Sequence, residues 1–209
     1  MDVTAVIPAL NEEKTVGCIV ALLRRMPEVS EVVVVDDGST DRTSQVASES
    51  GARVITLPEN IGKGGAVRRG VEAANTEVVL FLDADLRGLT EQHIRDLLNP
   101  VLLGGADMSL GLFDQGRVAT DLAQAVTPYL TGQRAVRRWL LEDMNGMDLT
   151  GFGFEVALTR RAKERGARVI EVTLKDLTHV MKEEKLGLVK GFMARMRMYW
   201  EIMKTVQKG

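Results

Sequence analysis

The chain has 209 residues, which suits one domain, or one domain with an appended element, and is long enough to bury a core without staples. Its formal charge of −2 gives no global basic field, which argues against a nucleic-acid partner. No run approaches the roughly 18 apolar residues needed to cross a bilayer, and no basic leader precedes the first strand-like run at Val3. The single cysteine, Cys18, cannot form an internal disulfide, which points to a reducing compartment. The expectation is a soluble, cytoplasmic protein with peripheral membrane attachment left open. Cys18 itself is expected to pack in the core from an apolar helix face.

Residues 3–8, 31–36, 53–57 and 78–82 read as strands, nearly all apolar or β-branched. Such unbroken runs suit a parallel sheet covered on both faces. Between them, residues 12–26, 41–50 and 64–74 read as helices. Asn11 is the expected N-cap of the first, with Glu12 and Glu13 in its opening turn, and Ser39 or Asp41 that of the second. This rhythm predicts right-handed crossovers and an open, mostly parallel α/β sheet with helices on both faces. Farther along, 91–103 reads as a helix, 106–112 as a strand, and 114–148 as mostly helical. A helix over 154–165 ends near Gly166; strands follow at 168–173 and 176–180, and a helix over 188–206 closes the chain. No repeat, low-complexity segment or proline-rich linker marks a boundary, so 1–209 is expected to be one domain.

In an open parallel sheet, ligands bind beyond the carboxyl ends of the strands. There the polar residues collect: Pro8-Ala9-Leu10-Asn11-Glu12, Asp36-Asp37-Gly38-Ser39, Asn60-Ile61-Gly62-Lys63-Gly64 and Asp83-Ala84-Asp85. Any one of these is an ordinary strand-to-helix turn; four on one edge make a site. Asp83 and Asp85 stand two apart at the end of an apolar strand, so an extended backbone points both carboxylates one way. Two such carboxylates repel unless a cation or proton lies between them, and hard oxygen ligands suit Mg²⁺ or Mn²⁺ bridging a substrate diphosphate. The plainer alternative is a pair of turn or capping aspartates before Leu86. Asp36 and Asp37 would accept hydrogen bonds from a base or ribose, or else shape the turn at Gly38; Glu12 divides in the same way between ribose contact and helix terminus. The run around Lys63 is not a P-loop, because Gly64 follows the lysine where Ser or Thr is needed. Its glycines still open a helix toward an anion, with Lys63 as a point charge, or form a turn with a solvated lysine.

Taken together, Val6-Ile7-Pro8-Ala9-Leu10-Asn11-Glu12-Glu13, Val34-Val35-Asp36-Asp37-Gly38-Ser39-Thr40-Asp41, Asn60 to Gly64 and Leu82-Asp83-Ala84-Asp85 resemble the family-2 glycosyltransferases with the GT-A fold. The resemblance covers roughly the first half of the chain, in the right order and spacing. It implies transfer of a sugar from a nucleoside diphosphate sugar, UDP- or GDP-linked, with Mg²⁺ or Mn²⁺ as cofactor. It implies nucleotide-sugar contacts at Pro8, Ala9, Glu12, Asp36, Asp37, Lys63, Asp83 and Ala84, and a metal pair at Asp83 and Asp85, with Asp85 carrying catalysis through the metal. Residues 1–112 become the nucleotide-sugar half and 113–209 the acceptor-side half with its closing helix.

Thr131-Gly132-Gln133-Arg134 and Gly151-Phe152-Gly153-Phe154-Glu155-Val156 resemble both dolichol-phosphate mannose synthase-like enzymes and glucosyl-3-phosphoglycerate synthases. In the latter, the matching glutamate lies in the active site and a later histidine helps hold the metal; here these are Glu155 and His179. The first group inverts anomeric configuration and the second retains it, so both outcomes stay open. Glu155 is a candidate base or acceptor-orienting group, or a helix-terminal acid. His179 is a candidate metal ligand or a structural histidine. Arg134, placed in a loop-like segment, is the best of Arg134, Arg137 and Arg138 for gripping an acceptor phosphate. The acceptor is unspecified, with a polyprenyl phosphate or a small phosphorylated molecule as the classes considered.

Residues 182–209 hold seven Lys/Arg and three Glu, a net +4, with Leu188, Phe192, Met196, Tyr199 and Met203 at helical spacing. The stripe packs on the body, forms a homodimer seam, or lies on an anionic membrane. Two rival functions remain. A nucleotidyltransferase would carry a glycine-rich loop after the first strand, where this chain has Pro8-Ala9-Leu10-Asn11-Glu12. A non-catalytic nucleotide-sugar-binding protein would keep the first-half residues without needing Glu155.

Overall fold

Every residue of the first strand, β1 (Val3–Ala9), is buried except the half-buried Pro8. A strand apolar on both sides needs cover on both faces. In this computed structural model, which describes residues 2–113, 131–142 and 153–179, the cover is a layer of helices on each side. Val3, Ala5, Ile7 and Ala9 join one core cluster, and Val6 joins the cluster across the sheet. The first face receives Ile19 and Leu23 of α1 (Val16–Leu23), Ala47 of α2 (Thr43–Glu49), and Leu97 and Leu98 of α4 (Glu91–Leu102). The second receives Val67 of α3 (Lys63–Ala73), and Phe154 and Leu158 of α5 (Gly153–Glu164).

The strands are β1, β2 (Val29–Asp36), β3 (Arg53–Thr56), β4 (Val78–Phe81), a two-residue β5 (Leu86–Arg87), β6 (Met108–Phe113), β7 (Arg134–Arg137), β8 (Val169–Leu174) and β9 (Thr178–His179). Seven form one sheet in the order β3-β2-β1-β4-β7-β6-β8. The β3-β2-β1-β4 neighbours are parallel, as are β6 and β8. Among the described strands of this sheet, only β7 runs the other way, antiparallel to both β4 and β6. Arg134, at its start, pairs with Phe81 at the end of β4. The segment entering β7 therefore lies at the edge where the parallel strands end.

Two contacts fasten the second helical layer. Gly70 of α3 lies so close to the sheet that an added Cβ would come within 2.2 Å of Val6 Cγ1. The rings of Phe81 and Phe154 meet edge to face with centroids 5.1 Å apart, tying the start of α5 to the end of β4. Lys63 and Glu155, at the starts of the two helices, are thereby brought to the same strand edge.

Met1–Leu177 forms one compact unit and Thr178–Gly209 a second, of which only β9 is described. The basic stripe of 182–209, the closing helix and the His179 side chain lie outside the described residues. Among the described residues, no helix is long and apolar enough to cross a membrane.

Five expectations need correction. The segment 114–148 is not mostly helical where it is described, since Arg134–Arg137 form a central strand. The first helix begins at Val16, not Glu12. Asn11 does not cap it: Asn11 takes a left-handed φ of 56° and its Oδ1 accepts from Thr40 N at 2.9 Å, so its side chain is spent on the neighbouring loop. Cys18 is exposed, because Ile19, Val20 and Leu23 take the core face of α1. At α2 the N-cap position is Arg42, not Ser39 or Asp41, although Asp41 Oδ1 accepts from Thr43 N, the first residue of the helix, at 2.9 Å.

Candidate active site

The loops at the strand ends hold one another in sequence. Ala9 O accepts from Asp37 N at 2.8 Å, and Asn11 N donates to Ser39 Oγ at 2.9 Å, joining the first loop to the second. Asp37 joins the second to the third: its Oδ1 accepts from Ile61 N at 2.8 Å and its Oδ2 from Gly62 N at 3.0 Å. Gly38 makes the approach possible. Its φ is +77°, and a Cβ there would lie 2.9 Å from the backbone of Glu59 and Asn60. Asp36 faces the other way, with Oδ1 accepting from Ser39 N at 2.9 Å and Oδ2 from the Ser44 hydroxyl. Both aspartates are buried, and the bonds just named tie both oxygens of each carboxylate into the protein, so they act first as builders of the loop edge.

The third loop delivers Lys63, the first residue of α3. Its Nζ stands 2.7 Å from Asp83 Oδ1 and 2.6 Å from Glu155 Oε1. Lys63 thus bridges the end of β4 to the start of α5. Partial burial acts to lower the lysine pKa, but the Asp83 and Glu155 carboxylates outweigh it and hold Lys63 well above the ordinary lysine value. Glu155 is only 1% exposed, and among the described residues its Oε2 has no hydrogen-bond partner.

Asp83 is held from a second side. Its Oδ2 accepts from Gln133 Nε2 at 2.8 Å, and the Gly132 backbone lies against it. Arg134 follows, fully buried, with Nε donating to Thr131 O at 2.7 Å and Nη1 to Thr159 Oγ1 at 2.8 Å. Burial pushes its guanidinium down to about 10, with Glu155 and Asp83 opposing the shift, so it stays charged at neutral pH. Asp85 is half-buried, as are Pro8 and Glu12, whereas Ala9 and Ala84 are buried.

The structure therefore gathers Asp83, Lys63 and Glu155 into one contact and ties Asp37 to it through Ile61 and Gly62. Arg134 sits in the interior beneath the site, not in a loop facing an acceptor. Gln133 is the member that sequence reasoning missed. Its signal, a polar residue just before a four-residue strand, does not reveal which carboxylate it meets.

The carboxylates of Asp83 and Glu155 meet the single ammonium of Lys63, and one buried Glu155 oxygen is left without a hydrogen bond among the described residues. That excess of hard, negative oxygen suits a divalent cation such as Mg²⁺ or Mn²⁺.

A glucosyl-3-phosphoglycerate synthase of Mycolicibacterium smegmatis is 36% identical over 109 residues, covering 48% of this chain and 36% of that protein. A 4,4'-diaponeurosporenoate glycosyltransferase of Staphylococcus aureus is 35% identical over 109 residues, covering 50% of this chain and 29% of that protein. The matched segment thus spans about a third of these relatives' own length. A crystal structure of the Mycobacterium tuberculosis glucosyl-3-phosphoglycerate synthase with Mn²⁺, uridine diphosphate and glucosyl-3-phosphoglycerate superposes with a TM-score of 0.73 at 29% identity, covering 86% of this chain and 72% of that one. Another structure of that synthase holds Mg²⁺ and uridine diphosphate. Residues 4–162 match the family described as glycosyl transferase family 2. That match covers well over half of the chain, which therefore belongs to glycosyl transferase family 2 and carries its GT-A fold.

Proposed function

We propose that this protein transfers a sugar from a uridine diphosphate sugar to an acceptor hydroxyl, with Mn²⁺ or Mg²⁺ held by Asp83 and Asp85. The observation that carries this reading is the Lys63–Asp83–Glu155 contact at the carboxyl edge of the sheet, beside the Asp83-Ala84-Asp85 turn. The likeness to a synthase crystallised with Mn²⁺ and uridine diphosphate supports the donor and the cation. When bound, the cation supplies Lewis-acid stabilisation of the departing diphosphate.

The chain's own residues do the rest. Asp37 fixes the loop before α3, and α3 presents Lys63. Lys63 pairs with the buried Glu155 at its Oε1 and holds Asp83 at its Oδ1. Glu155 acts through its second oxygen, which has no hydrogen-bond partner among the described residues and would accept from a sugar or acceptor hydroxyl. Pro8, Ala9 and Glu12 form the wall against which the nucleoside lies, and Ala84 keeps the turn small between the two aspartates. A small phosphorylated acceptor is the class favoured, since structures of the related synthase hold phosphoglyceric acid or glycerol 3-phosphate. His179 is kept as a further candidate metal ligand from the resemblance alone.

The test is a thermal-shift screen of uridine and guanosine diphosphate sugars with and without Mn²⁺, followed by radiolabelled transfer from the best donor to small phosphorylated acceptors. A uridine-linked donor should stabilise the fold only with the cation present, by mass action. Asp85→Ala should lower turnover about 10³-fold, equivalent to about 4 kcal/mol of barrier, with the fold intact. Full turnover by Asp85→Ala would overturn the mechanism. Donor binding without transfer or hydrolysis would favour a non-catalytic nucleotide-sugar-binding protein.

A further inference from the structure

Asp83 is approached by a short segment whose residues carry no role in the transfer reaction described above. Thr131, Gly132 and Gln133 lead into β7, the one described strand of the main sheet that runs against its neighbours. All three are buried, Gln133 completely. A buried carboxamide with an unmet donor is costly, so the partner of Gln133 Nε2 is informative. That partner is Asp83 Oδ2, at 2.8 Å.

The rest of the segment fixes the carboxamide in that direction. Gln133 Oε1 lies 3.0 Å from the Thr131 hydroxyl, which also reaches Gly111 O at 2.5 Å. The amide orientation follows from charge: the flipped form would set a carboxamide oxygen 2.8 Å from a carboxylate oxygen. Gln133 O accepts from Gly111 N at 2.8 Å, so the backbone is tied as well. Gly132 makes the third contact. A Cβ there would lie 2.6 Å from Asp83 Oδ1 and 2.7 Å from Oδ2, so the carboxylate rests on bare backbone. Asp83 is thus gripped by Lys63 on one oxygen, by Gln133 on the other, and by the Gly132 backbone beneath.

We infer that Gln133 is a positioning residue that sets the rotamer of Asp83 for the divalent cation, with Gly132 as the floor that admits that rotamer. The inference rests on the metal-dependent reading of Asp83 and Asp85 proposed above. Its physical basis is general: groups that hydrogen-bond a metal-ligating carboxylate orient it, and losing one costs affinity for the ion. An ammonium contact on one oxygen leaves more freedom about the carboxylate's χ2 torsion than contacts on both oxygens do. A donor on the second oxygen narrows that freedom.

The experiment is a Mn²⁺ titration in the presence of uridine diphosphate, read from the electron paramagnetic resonance of the free ion. It compares the unaltered chain, Asp85→Ala, Gln133→Met and Gly132→Ala. Gln133→Met keeps the side-chain volume and loses the donor; it should weaken Mn²⁺ binding by about 10- to 100-fold. Its rate at saturating Mn²⁺ should stay within a few-fold of the unaltered chain, so that the apparent KM for Mn²⁺ moves and kcat does not. Gly132→Ala should weaken Mn²⁺ binding by displacing the carboxylate, with Gln133 still present. Should Gln133→Met fail to fold, Gln133→Asn serves in its place, since its shorter amide falls short of Asp83. Unchanged Mn²⁺ affinity in a folded Gln133 variant overturns this inference and leaves the proposed function standing, including when unfolding shifts, because that pattern is a purely structural role. No Mn²⁺ binding by the unaltered chain overturns both.

Discussion

The ammonium of Lys63 lies 2.6 Å from Glu155, a carboxylate with only 1% of its surface exposed. Removing the lysine alone leaves that charge buried with one counter-ion fewer. Breaking a fully buried pair costs about 3–5 kcal/mol. Because about a third of the Lys63 side chain is exposed, about 2–3 kcal/mol is expected for Lys63→Met. Urea unfolding of Lys63→Met, Glu155→Gln and the double variant should show a coupling of at least about 1 kcal/mol, the double variant losing less than the sum. Strict additivity would mean that the two charges do not support each other.

Asp37 spans 24 residues to bind two successive backbone amides, Ile61 N and Gly62 N. Hydrogen bonds to a charged group contribute about 1.5–3 kcal/mol each. Asp37→Ala should therefore destabilise the fold by about 2–4 kcal/mol and speed amide hydrogen exchange at Ile61 and Gly62 in particular. Asp37→Asn retains one acceptor oxygen and should lose roughly half as much. Unaltered exchange at these two amides in Asp37→Ala would show that the loop is held by other means.

Asp41 supplies a dependence on acid. Partial burial acts to raise its pKa, but the Thr43 hydroxyl and the backbone amides of Thr43 and Glu13 outweigh it and set the folded value below the ordinary 3.8. A depressed carboxylate stabilises the fold fully above its unfolded pKa and loses that contribution as pH falls through the folded one. The stability gap between the unaltered chain and Asp41→Ala should be about 1 kcal/mol at pH 6 and should narrow below pH 3.8. A gap that stays constant down to pH 2 would contradict this assignment.

The first half of the fold was legible because its strands are unbroken apolar runs ending in polar turns, a pattern that both-face burial demands. The ligand-binding edge followed from four such turns, and the GT-A expectation from the family resemblance their residues carry. β7 was not legible. Gln133-Arg134-Ala135-Val136-Arg137 carries as much charge as a solvated helix face, yet Gln133 and Arg134 are completely buried. Burial is tolerated there because Thr131, Thr159 and Asp83 satisfy their polar groups. Those partners lie as far as 50 residues away in the chain, beyond what local periodicity reports. Asn11 misled for a related reason: its side chain serves the second loop, not the helix that follows it.

The reversed direction of β7 has a further consequence. Gln133 enters the site from ahead of its strand and Glu155 from the start of the following helix, and both end on residues of the first half, Asp83 and Lys63. The two halves of the catalytic unit are therefore not separable modules. A fragment ending near residue 112 would hold the Asp83-Ala84-Asp85 turn without the Gln133 hydrogen bond to Asp83 and with Lys63 missing the Glu155 carboxylate. Cut there, the protein should regain cation binding only when the two pieces are mixed and reassemble.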